Sequence, residues 1–573
     1  MHIRSRAELI SRKATYQFSV NQNRNKTAAA TATDGSVDAI PPGSTSHCAG
    51  LMRRSRQLTQ LVQSSFDNPK QAGTIQLRAV ELLSSFPAYG IEDDPFFVVA
   101  NRIIRGAIHF KVTTKPIVGL AVKQHMSHLY KCDSAIVTNF LSLVPRLEHL
   151  SCYQQEEMVA AMVPKLHQIA NEMLPSERSV TYEVIAKTMP LMNEVPGRRN
   201  NTPNNRGNNG TRVLDEKTIR GIRTLLDKIT VGFRPLTESA TLLEACRLLC
   251  HVSLAHPSSS ETVALWVDIA PKLVLALPGA TSEELVYLCS GISNFAPSTS
   301  TSSPFNFGPS CGSGRRLMNA VARRAMDVII TLPPKGVSAV LRAFYYSSFR
   351  HEALVRRCAT RIASCDESTG DDCRSSHVLM AVQSLAHLYI KDDALFEALG
   401  SRAVACQRRE EGLHPRNCIR IMQLFLRTGS HHIELYNATM DSVLTNVANS
   451  YITEGVTASA EDSSLEPTAA SSSLDQIETT TDGVDSLDPS EDAGRIQFRM
   501  VLQTLQVIAL NPSSGVIDGA RVVMLLHLAE SLLSRSTSHG KANAKWVRDV
   551  CSRLKYFGGK VSASCETLMR LVG

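Results

Sequence analysis

The end of one helix, a turn and the start of a second helix can be read in Val340-Leu-Arg-Ala-Phe-Tyr-Tyr-Ser-Ser-Phe-Arg-His-Glu-Ala-Leu354. The same pattern returns 41 residues later in Ala381–Leu395, and 40 residues after that in Ile421–Leu435. A helix pair of about 40 residues cannot bury both of its faces alone, so neighbouring pairs must stack on it. The repeat therefore predicts an all-α chain, an α-solenoid of helix pairs.

The apolar positions of the three copies fall into register. Two sets of landmarks align, one in each helix of the pair: Phe344, Leu385 and Phe425, then Leu354, Leu395 and Leu435. Looser copies can be read at Asp133–Met173, Glu238–Leu277, Glu283–Thr331 and Gln497–Ser534. Apolar residues recur at a helical period, and no comparable period-2 run exists. The pattern favours an armadillo/HEAT-like array, and an irregular helical bundle is the alternative.

Three segments break the helical pattern, at residues 196–212, 296–314 and 454–494. They are rich in Asn, Ser, Thr, Pro, Gly or acidic residues, so they bury too little apolar area to offset their ordering entropy. We predict that all three are disordered insertions. They divide the chain into a leader at 1–50, N-terminal repeats at 51–195, central repeats at 213–453 and C-terminal repeats at 495–573.

The first 33 residues are basic, and Glu8 is their one acid before Asp34. They contain no apolar core of the length that a secretory signal requires, and a basic, hydroxylated leader is typical of a mitochondrial transit peptide. We therefore expect the mitochondrial matrix, and a plain basic tail is the alternative. The basic residues of this leader are Arg4, Arg6, Arg12, Lys13, Arg24 and Lys26.

Charge is spread unevenly along the chain. The formal net charge is +8, yet residues 454–494 contain 11 acids and no Lys or Arg, which leaves +19 on the remainder. A chain this basic outside one acidic segment is suited to an anionic partner. One hypothesis is that the acidic segment competes within the molecule for the basic surface, so that its deletion would tighten RNA binding at low salt.

The sequence contains no motif that would indicate catalysis. Phosphate-binding loops, the zinc-protease motif, calcium loops and CxxC pairs are all absent. Cys246 and Cys250 share a helical face but lack a second ligand pair, and His431–His432 point in different directions. We expect no catalytic residue, no cofactor and no metal. No stretch approaches 18 uninterrupted apolar residues, so no membrane span is predicted either.

Arginines gather on the second helix of three successive pairs, away from the apolar stripe. Equivalent helices of a solenoid lie side by side, so these arginines should form a basic strip suited to RNA phosphates or to an acidic protein. A solvated helix face without function is the remaining alternative. The next equivalent helix, Ile433–Val447, carries Glu434 and Asp441 and no base, so the strip should end there. The strip comprises Arg315, Arg316, Arg323, Arg324, Arg356, Arg357, Arg361, Arg402, Arg408 and Arg409.

Pairs such as Ala381-Val-Gln-Ser-Leu-Ala-His-Leu-Tyr-Ile-Lys-Asp-Asp-Ala-Leu-Phe-Glu-Ala-Leu399, after a mitochondrial leader, resemble the helical-repeat proteins of organellar RNA metabolism. These include FASTK-like and octotricopeptide-type proteins. The Asn- and Ser-rich insertions are more similar to the kinetoplastid armadillo/HEAT-like proteins of the RNA-editing substrate-binding (guide-RNA-binding) complex. The resemblance lies in the general pattern of the helical repeats over residues 56–535 and not in diagnostic residues. Trp546–Gly573 lacks the RAP-domain pattern of many FASTK-like proteins, which favours a scaffold over a nuclease.

The resemblance and the charge pattern together imply a non-catalytic scaffold of a mitochondrial RNA-processing or RNA-editing complex. Its partners would be other protein subunits of that ribonucleoprotein and RNA itself. Two alternatives remain open at this stage. One is a component or assembly factor of the mitochondrial ribosome, and the other is a cytosolic armadillo-type adaptor.

Overall fold

A computed structural model describes residues 46–86, 98–148, 150–189, 216–298, 304–307, 311–365, 372–409, 416–457, 493–510, 517–535 and 537–572. Within these ranges the secondary structure is helical, with no β-strand. The prediction of an all-α chain is therefore confirmed. The leader up to residue 45, and most of the insertions predicted at 196–212 and 454–494, lie outside the described residues.

The chain divides into two compact units, Met1–Ile269 and Ala270–Gly573, and the division falls within one helix, α10. The helices of the first unit are α1 (Ser46–Asp67), α2 (Ala72–Ser84), α3 (Val98–His109), α4 (Pro116–Ser127), α5 (Ser134–Leu141), α6 (Cys152–Ile169), α7 (Pro175–Thr188), α8 (Glu216–Phe233), α9 (Leu242–Ala255) and α10 (Ser260–Ala276).

The helices of the second unit are α11 (Ser282–Phe295), α12 (Gly312–Val328), α13 (Pro334–Tyr346), α14 (Glu352–Ala363), α15 (Ser375–His387), α16 (Asp393–Arg409), α17 (Arg416–Thr428), α18 (Ile433–Thr457), α19 (Ala493–Ala509), α20 (Gly519–Arg535), α21 (Thr537–Leu554) and α22 (Gly559–Val572). Odd-numbered helices pack on odd-numbered ones, and even on even, so that this unit has two layers. We call the odd-numbered helices first helices and the even-numbered ones second helices.

The repeat period read from the sequence is the period of the structure. The first helices α13, α15 and α17 begin at Pro334, Ser375 and Arg416, so each starts 41 residues after the last. All six aligned landmarks are buried between the layers. Stacking of successive pairs therefore removes from water the apolar faces that one pair would leave exposed. The α-solenoid prediction holds for this unit.

The turn between the two helices repeats as closely as the helices do. Ser348, Tyr389 and Gly429 each follow a first helix with positive φ, at 53°, 54° and 76°. The residue after each donates its N–H to a carbonyl five residues earlier, which closes the helix in a Schellman motif. In all three repeats the second helix then begins at an N-cap side chain, provided by His351, Asp392 and His432.

We expect the substitution Tyr389→Gly to raise the free energy of unfolding by about 1 kcal/mol. The left-handed region costs a residue with a side chain roughly 1–2 kcal/mol and costs glycine almost nothing. The Tyr389 side chain is 87% exposed, so its removal sacrifices little packing. Urea unfolding followed by circular dichroism measures the change, and Ala398→Gly on an exposed helical face should instead destabilise by a similar amount. A destabilised Tyr389→Gly would contradict the strain argument.

The prediction that residues 296–314 form a disordered insertion is wrong in part. Residues 304–307, within the segment 296–314, are packed against the end of α11. Phe305 and Phe307 are buried, and their rings lie 6.2 and 6.1 Å from the ring of Phe295. In addition, Ala296–Ser298 forms a 3-10 turn and α12 begins at Gly312. The Ser- and Pro-rich composition predicts disorder, but the segment also contains two phenylalanines. Their buried apolar area is enough to fix this short segment.

Candidate functional site

The ten arginines of the predicted strip lie on α12, α14 and α16, three second helices that pack side by side. The ten side chains are not equally exposed to solvent. Arg315, Arg316, Arg323, Arg357, Arg408 and Arg409 are exposed, whereas Arg324, Arg356, Arg361 and Arg402 are half-buried.

Arg356 and Arg408 of the strip are engaged in ion pairs. The Arg356 guanidinium lies 3.0 Å from a Glu352 carboxylate oxygen and 2.7 Å from an Asp392 oxygen. Arg408 lies 2.7 Å from an oxygen of Glu434. Exposed pairs of this kind contribute at most about 1 kcal/mol each. Their effect on function is larger, because each carboxylate cancels much of the positive field that a phosphate would meet.

Three further arginines hold the two helices of their own repeat together. Arg324 Nε donates to the Ala280 carbonyl at 2.8 Å, just ahead of α11. Arg361 donates in the same way to Leu332 at 3.5 Å ahead of α13, and Arg409 to Cys373 ahead of α15. The repetition of this contact in three successive repeats assigns these side chains a structural role in addition to any contact with a ligand.

The predicted end of the strip at α18 has a structural counterpart. Both carboxylate oxygens of Asp441 accept hydrogen bonds from Arg521 of α20, at 2.7 and 3.0 Å. Hydrogen bonding to Asp441, followed by that to Asp518, raises the pKa of Arg521 above its ordinary value. Acidic residues of α18 therefore pair with arginines on the helices to either side.

A second basic surface lies on the first helices, and the sequence reasoning above missed it. Helices α13, α15, α17 and α19 contain no Asp or Glu, and they pack against one another in that order. Second helices α12, α14, α16 and α18 each contain at least one acid. We define the first-helix surface as the exposed or half-exposed polar and aromatic residues Lys335, Arg342, Tyr345, Tyr346, Gln383, His387, Arg416, Arg420, Gln423, Arg427, Arg499 and Gln503.

The basic residues of α17 form one stripe along that helix. Arg416, Arg420, Gln423 and Arg427 are spaced by four, three and four residues, which places them on a single face of an α-helix. The opposite face is apolar and buried. Within the part of the chain that the structure describes, Lys335, Arg427 and Arg499 form no ion pair. Lys335, Arg427 and Arg499 therefore give the first-helix surface positive charge that no described ion pair offsets on three helices, α13, α17 and α19.

Three rings cluster on the same surface where α13 and α15 end. The Tyr345 ring lies 5.1 Å from that of Tyr346 and 5.0 Å from that of His387. Gln383 Nε2 donates to the Tyr345 hydroxyl at 3.2 Å, so the hydrogen bond fixes this ring. Phe, Trp and Tyr make up only 5% of the chain, so two adjacent tyrosines and a histidine on helices without Asp or Glu form an unusual local concentration of rings.

The turns beside these rings add one exposed base per repeat. Arg350, Lys391 and His431 occupy equivalent positions, each directly before the N-cap of a second helix, and each is exposed. His431 therefore belongs to this row of bases, whereas its neighbour His432 caps α18 by accepting the Leu435 N–H at 3.1 Å. The two histidines therefore lie in separate environments.

A compositional test applied helix by helix would have found this surface. The sequence shows that Arg416-Asn-Cys-Ile-Arg-Ile-Met-Gln-Leu-Phe-Leu-Arg-Thr428 has three arginines and no acid. The sequence pattern favoured α12, α14 and α16, which have four, three and three arginines, so the count does not distinguish α14 and α16 from α17. Apart from Glu434 and Asp441 of α18, the acids near these arginines did not enter the prediction. The structure pairs Arg356 with Glu352 and Asp392.

Buried cysteines form a further polar cluster in the second unit. Cys373 lies within hydrogen-bonding reach of Cys365 and Cys406, and these contacts, followed by burial, raise the pKa of its thiol. A protonated thiol of this kind is a poor nucleophile. Cys246 and Cys250 are buried free thiols. Over the described residues, no group of three or more His, Cys, Asp or Glu side chains is suited to hold a metal ion.

A polar cluster in the first unit joins α7 to α9. A Glu183 carboxylate oxygen lies 2.7 Å from Lys187 Nζ, and another lies 3.2 Å from Arg247 Nε. His251 Nε2 is 3.8 Å from Glu183, and burial lowers the pKa of His251 to about 4. The imidazole is consequently neutral at physiological pH, and the cluster links the two packed helices α7 and α9.

One described segment, Ser260–Gly279, is long and apolar enough to cross a membrane, with a mean hydropathy of 1.4. A core helix of a soluble protein passes the same test, so this is weak evidence. Trp266 within the segment is fully buried and donates its indole N–H to Ser253 Oγ at 3.0 Å. The absence of a membrane span stays a prediction.

Comparisons with known proteins add little to this description. No protein-family model and no curated protein matches the chain. Among solved structures, the chain is similar to a "Circular tandem repeat protein with novel repeat topology and enhanced subunit contact surfaces". The alignment covers 92% of this chain and 94% of that one at 10% identity, with a TM-score of 0.16. A score this low carries no argument about function.

Proposed function

We propose that this helical-repeat protein is a non-catalytic scaffold of a mitochondrial RNA-processing complex and that it contacts RNA directly. The observation that carries the proposal is the first-helix surface, which presents Lys and Arg from several successive repeats and no acidic side chain. A row of bases without intervening carboxylates suits a phosphate backbone, because every acid on such a surface would oppose it. The basic leader supports the mitochondrial part of the proposal.

The two-layer architecture supports a role as a scaffold. Each repeat adds one first helix and one second helix to the two layers of the second unit, so the array offers two long surfaces of different charge. The second helices α12, α14 and α16 carry both acids and arginines, which suits protein partners. The first helices α13, α15, α17 and α19 carry no acid, which suits RNA. One molecule can thus hold an RNA against other subunits.

We expect the full chain to bind RNA with a steep dependence on salt. If four to six basic side chains contact phosphates, the slope of log K against log[salt] should be about −3 to −5. Fluorescence anisotropy of a labelled RNA at potassium chloride concentrations from about 50 to 200 mM measures this slope. A full chain that binds no RNA at the lowest salt would refute the proposal, and a flat salt profile would refute the phosphate contacts.

The mitochondrial ribosome remains the second candidate for the complex, because the same surface would suit ribosomal RNA. Affinity purification with and without ribonuclease separates the two. Factors that process or edit messenger RNA should co-purify under the first proposal, and ribosomal proteins under the second. Import of a fusion that carries residues 1–33 tests the location. A fusion that stays in the cytosol would favour an armadillo-type adaptor.

A further inference from the structure

We infer that the first-helix surface binds single-stranded RNA and that the ring cluster of Tyr345, Tyr346 and His387 stacks on unpaired bases. This inference rests on the proposed function, and it adds the form of the RNA and the side chains that select it. The bases of a duplex are stacked on each other and offer no free faces, whereas those of a single strand can stack on protein rings.

The geometry of the cluster suits stacking. Tyr345 and Tyr346 are half-exposed, and His387, at the last position of α15, is exposed. The three rings come from two adjacent repeats, and each meets the next edge-on at about 5 Å, so their faces point in different directions. The hydrogen bond from Gln383 holds Tyr345 in place before a ligand arrives. A base that stacks here therefore meets a preformed platform, which reduces the entropy cost of ordering.

The charges beside the cluster suit the backbone of the same strand. Arg427 lies at the end of α17, in the repeat after His387, whereas Lys335 lies at the opposite end of α13 from the rings. Arg350 and Lys391 extend the row of bases along the turns. A strand that crosses the ends of α13, α15 and α17 would meet rings and bases in alternation. This combination of stacking and cationic side chains is typical of sites for single-stranded nucleic acid.

An acidic protein would use the surface differently. A stretch of Asp and Glu needs positive charge but gains nothing from rings with exposed faces. The concentration of rings on helices without Asp or Glu therefore favours RNA over an acidic peptide. Poly-glutamate serves as the probe for that alternative.

The test uses the full chain and a labelled 12-nucleotide RNA of mixed sequence, alone or annealed to its complement. We expect the single strand to bind at least tenfold more tightly than the duplex. The double substitution Tyr346→Leu with His387→Leu should weaken binding of the single strand about tenfold or more and leave its salt slope unchanged, because stacking involves no counterion. Tyr346→Phe with His387→Phe retains the rings and should retain the affinity.

The controls separate failure of this inference from failure of the proposed function. Tyr130→Leu removes an exposed ring from the first unit and should leave binding unchanged. Circular dichroism establishes that each variant is folded. If the unaltered chain binds RNA but the leucine and phenylalanine variants are alike, or the duplex binds as well, this inference is overturned and the proposed function stands. If only poly-glutamate binds, both are overturned.

Discussion

Reversing three charges on the first-helix surface is expected to weaken RNA binding by on the order of 100-fold, which is roughly 2.7 kcal/mol. The variant combines Lys335→Glu, Arg427→Glu and Arg499→Glu, one substitution on each of three first helices. Hydrogen bonds to charged groups contribute about 1.5–3 kcal/mol each, so three losses allow an effect of this size even where they are not additive. The slope of log K against log[salt] should also become shallower by about 3.

A matched variant makes the same change of charge on the second helices. Arg315→Glu, Arg323→Glu and Arg357→Glu alter three exposed arginines of the strip for which no ion pair with a carboxylate is described. We expect their effect on affinity to be less than tenfold, because it acts only through the screened field of the whole unit. A larger loss from this second variant would show that the arginine strip, and not the first-helix surface, carries the RNA. Anisotropy titrations at two salt concentrations decide between the two surfaces.

The repeat itself could be predicted because it depends on local pattern. The landmark residues recur at a period of 40–41 residues, at Phe344, Leu385 and Phe425. The structure has the same period because each landmark is buried at the equivalent place in its repeat. The turn conformation was harder to predict. Positive φ at Ser348 and Tyr389 has no sequence signature, since glycine occupies that position only at Gly429. The other two positions adopt this conformation together with the same Schellman hydrogen bonds.

The candidate site could be predicted only in part. The sequence located arginines on equivalent helices, but ion pairing depends on residues distant in the chain. Asp392 lies 36 residues after Arg356, and Ala280 lies 44 residues before Arg324. Whether a charge is available to a ligand therefore depends on contacts within and between repeats. The ring cluster could not be predicted for the same reason. Tyr345 and His387 belong to different repeats and meet only when those repeats stack.

The second large effect is expected from Phe305→Ala, which should lower the free energy of unfolding of the second unit by about 3–5 kcal/mol. The Phe305 side chain is 0% exposed, and its ring lies 5.4 Å from the ring of Phe307 in an edge-on contact. Alanine would leave a cavity between the end of α11 and the segment 304–307. Ile330→Ala, at an exposed side chain in the same unit, should change stability by less than about 0.5 kcal/mol.

The substitution Gly314→Ala tests the packing of the segment 304–307 from the side of α12. A Cβ atom at Gly314 would lie 2.0 Å from the carbonyl oxygen of Asn306, so alanine must push the segment away from α12. Because the obstacle is backbone, the shift cannot be absorbed by a change of rotamer. We expect Gly314→Ala to destabilise the unit, and to cost much less when Phe305→Ala is already present, since the two substitutions release the same segment. Urea unfolding of the four chains measures this coupling. If Phe305→Ala alone changed stability by less than 1 kcal/mol, residues 304–307 would belong to a disordered insertion, as the composition of 296–314 suggests.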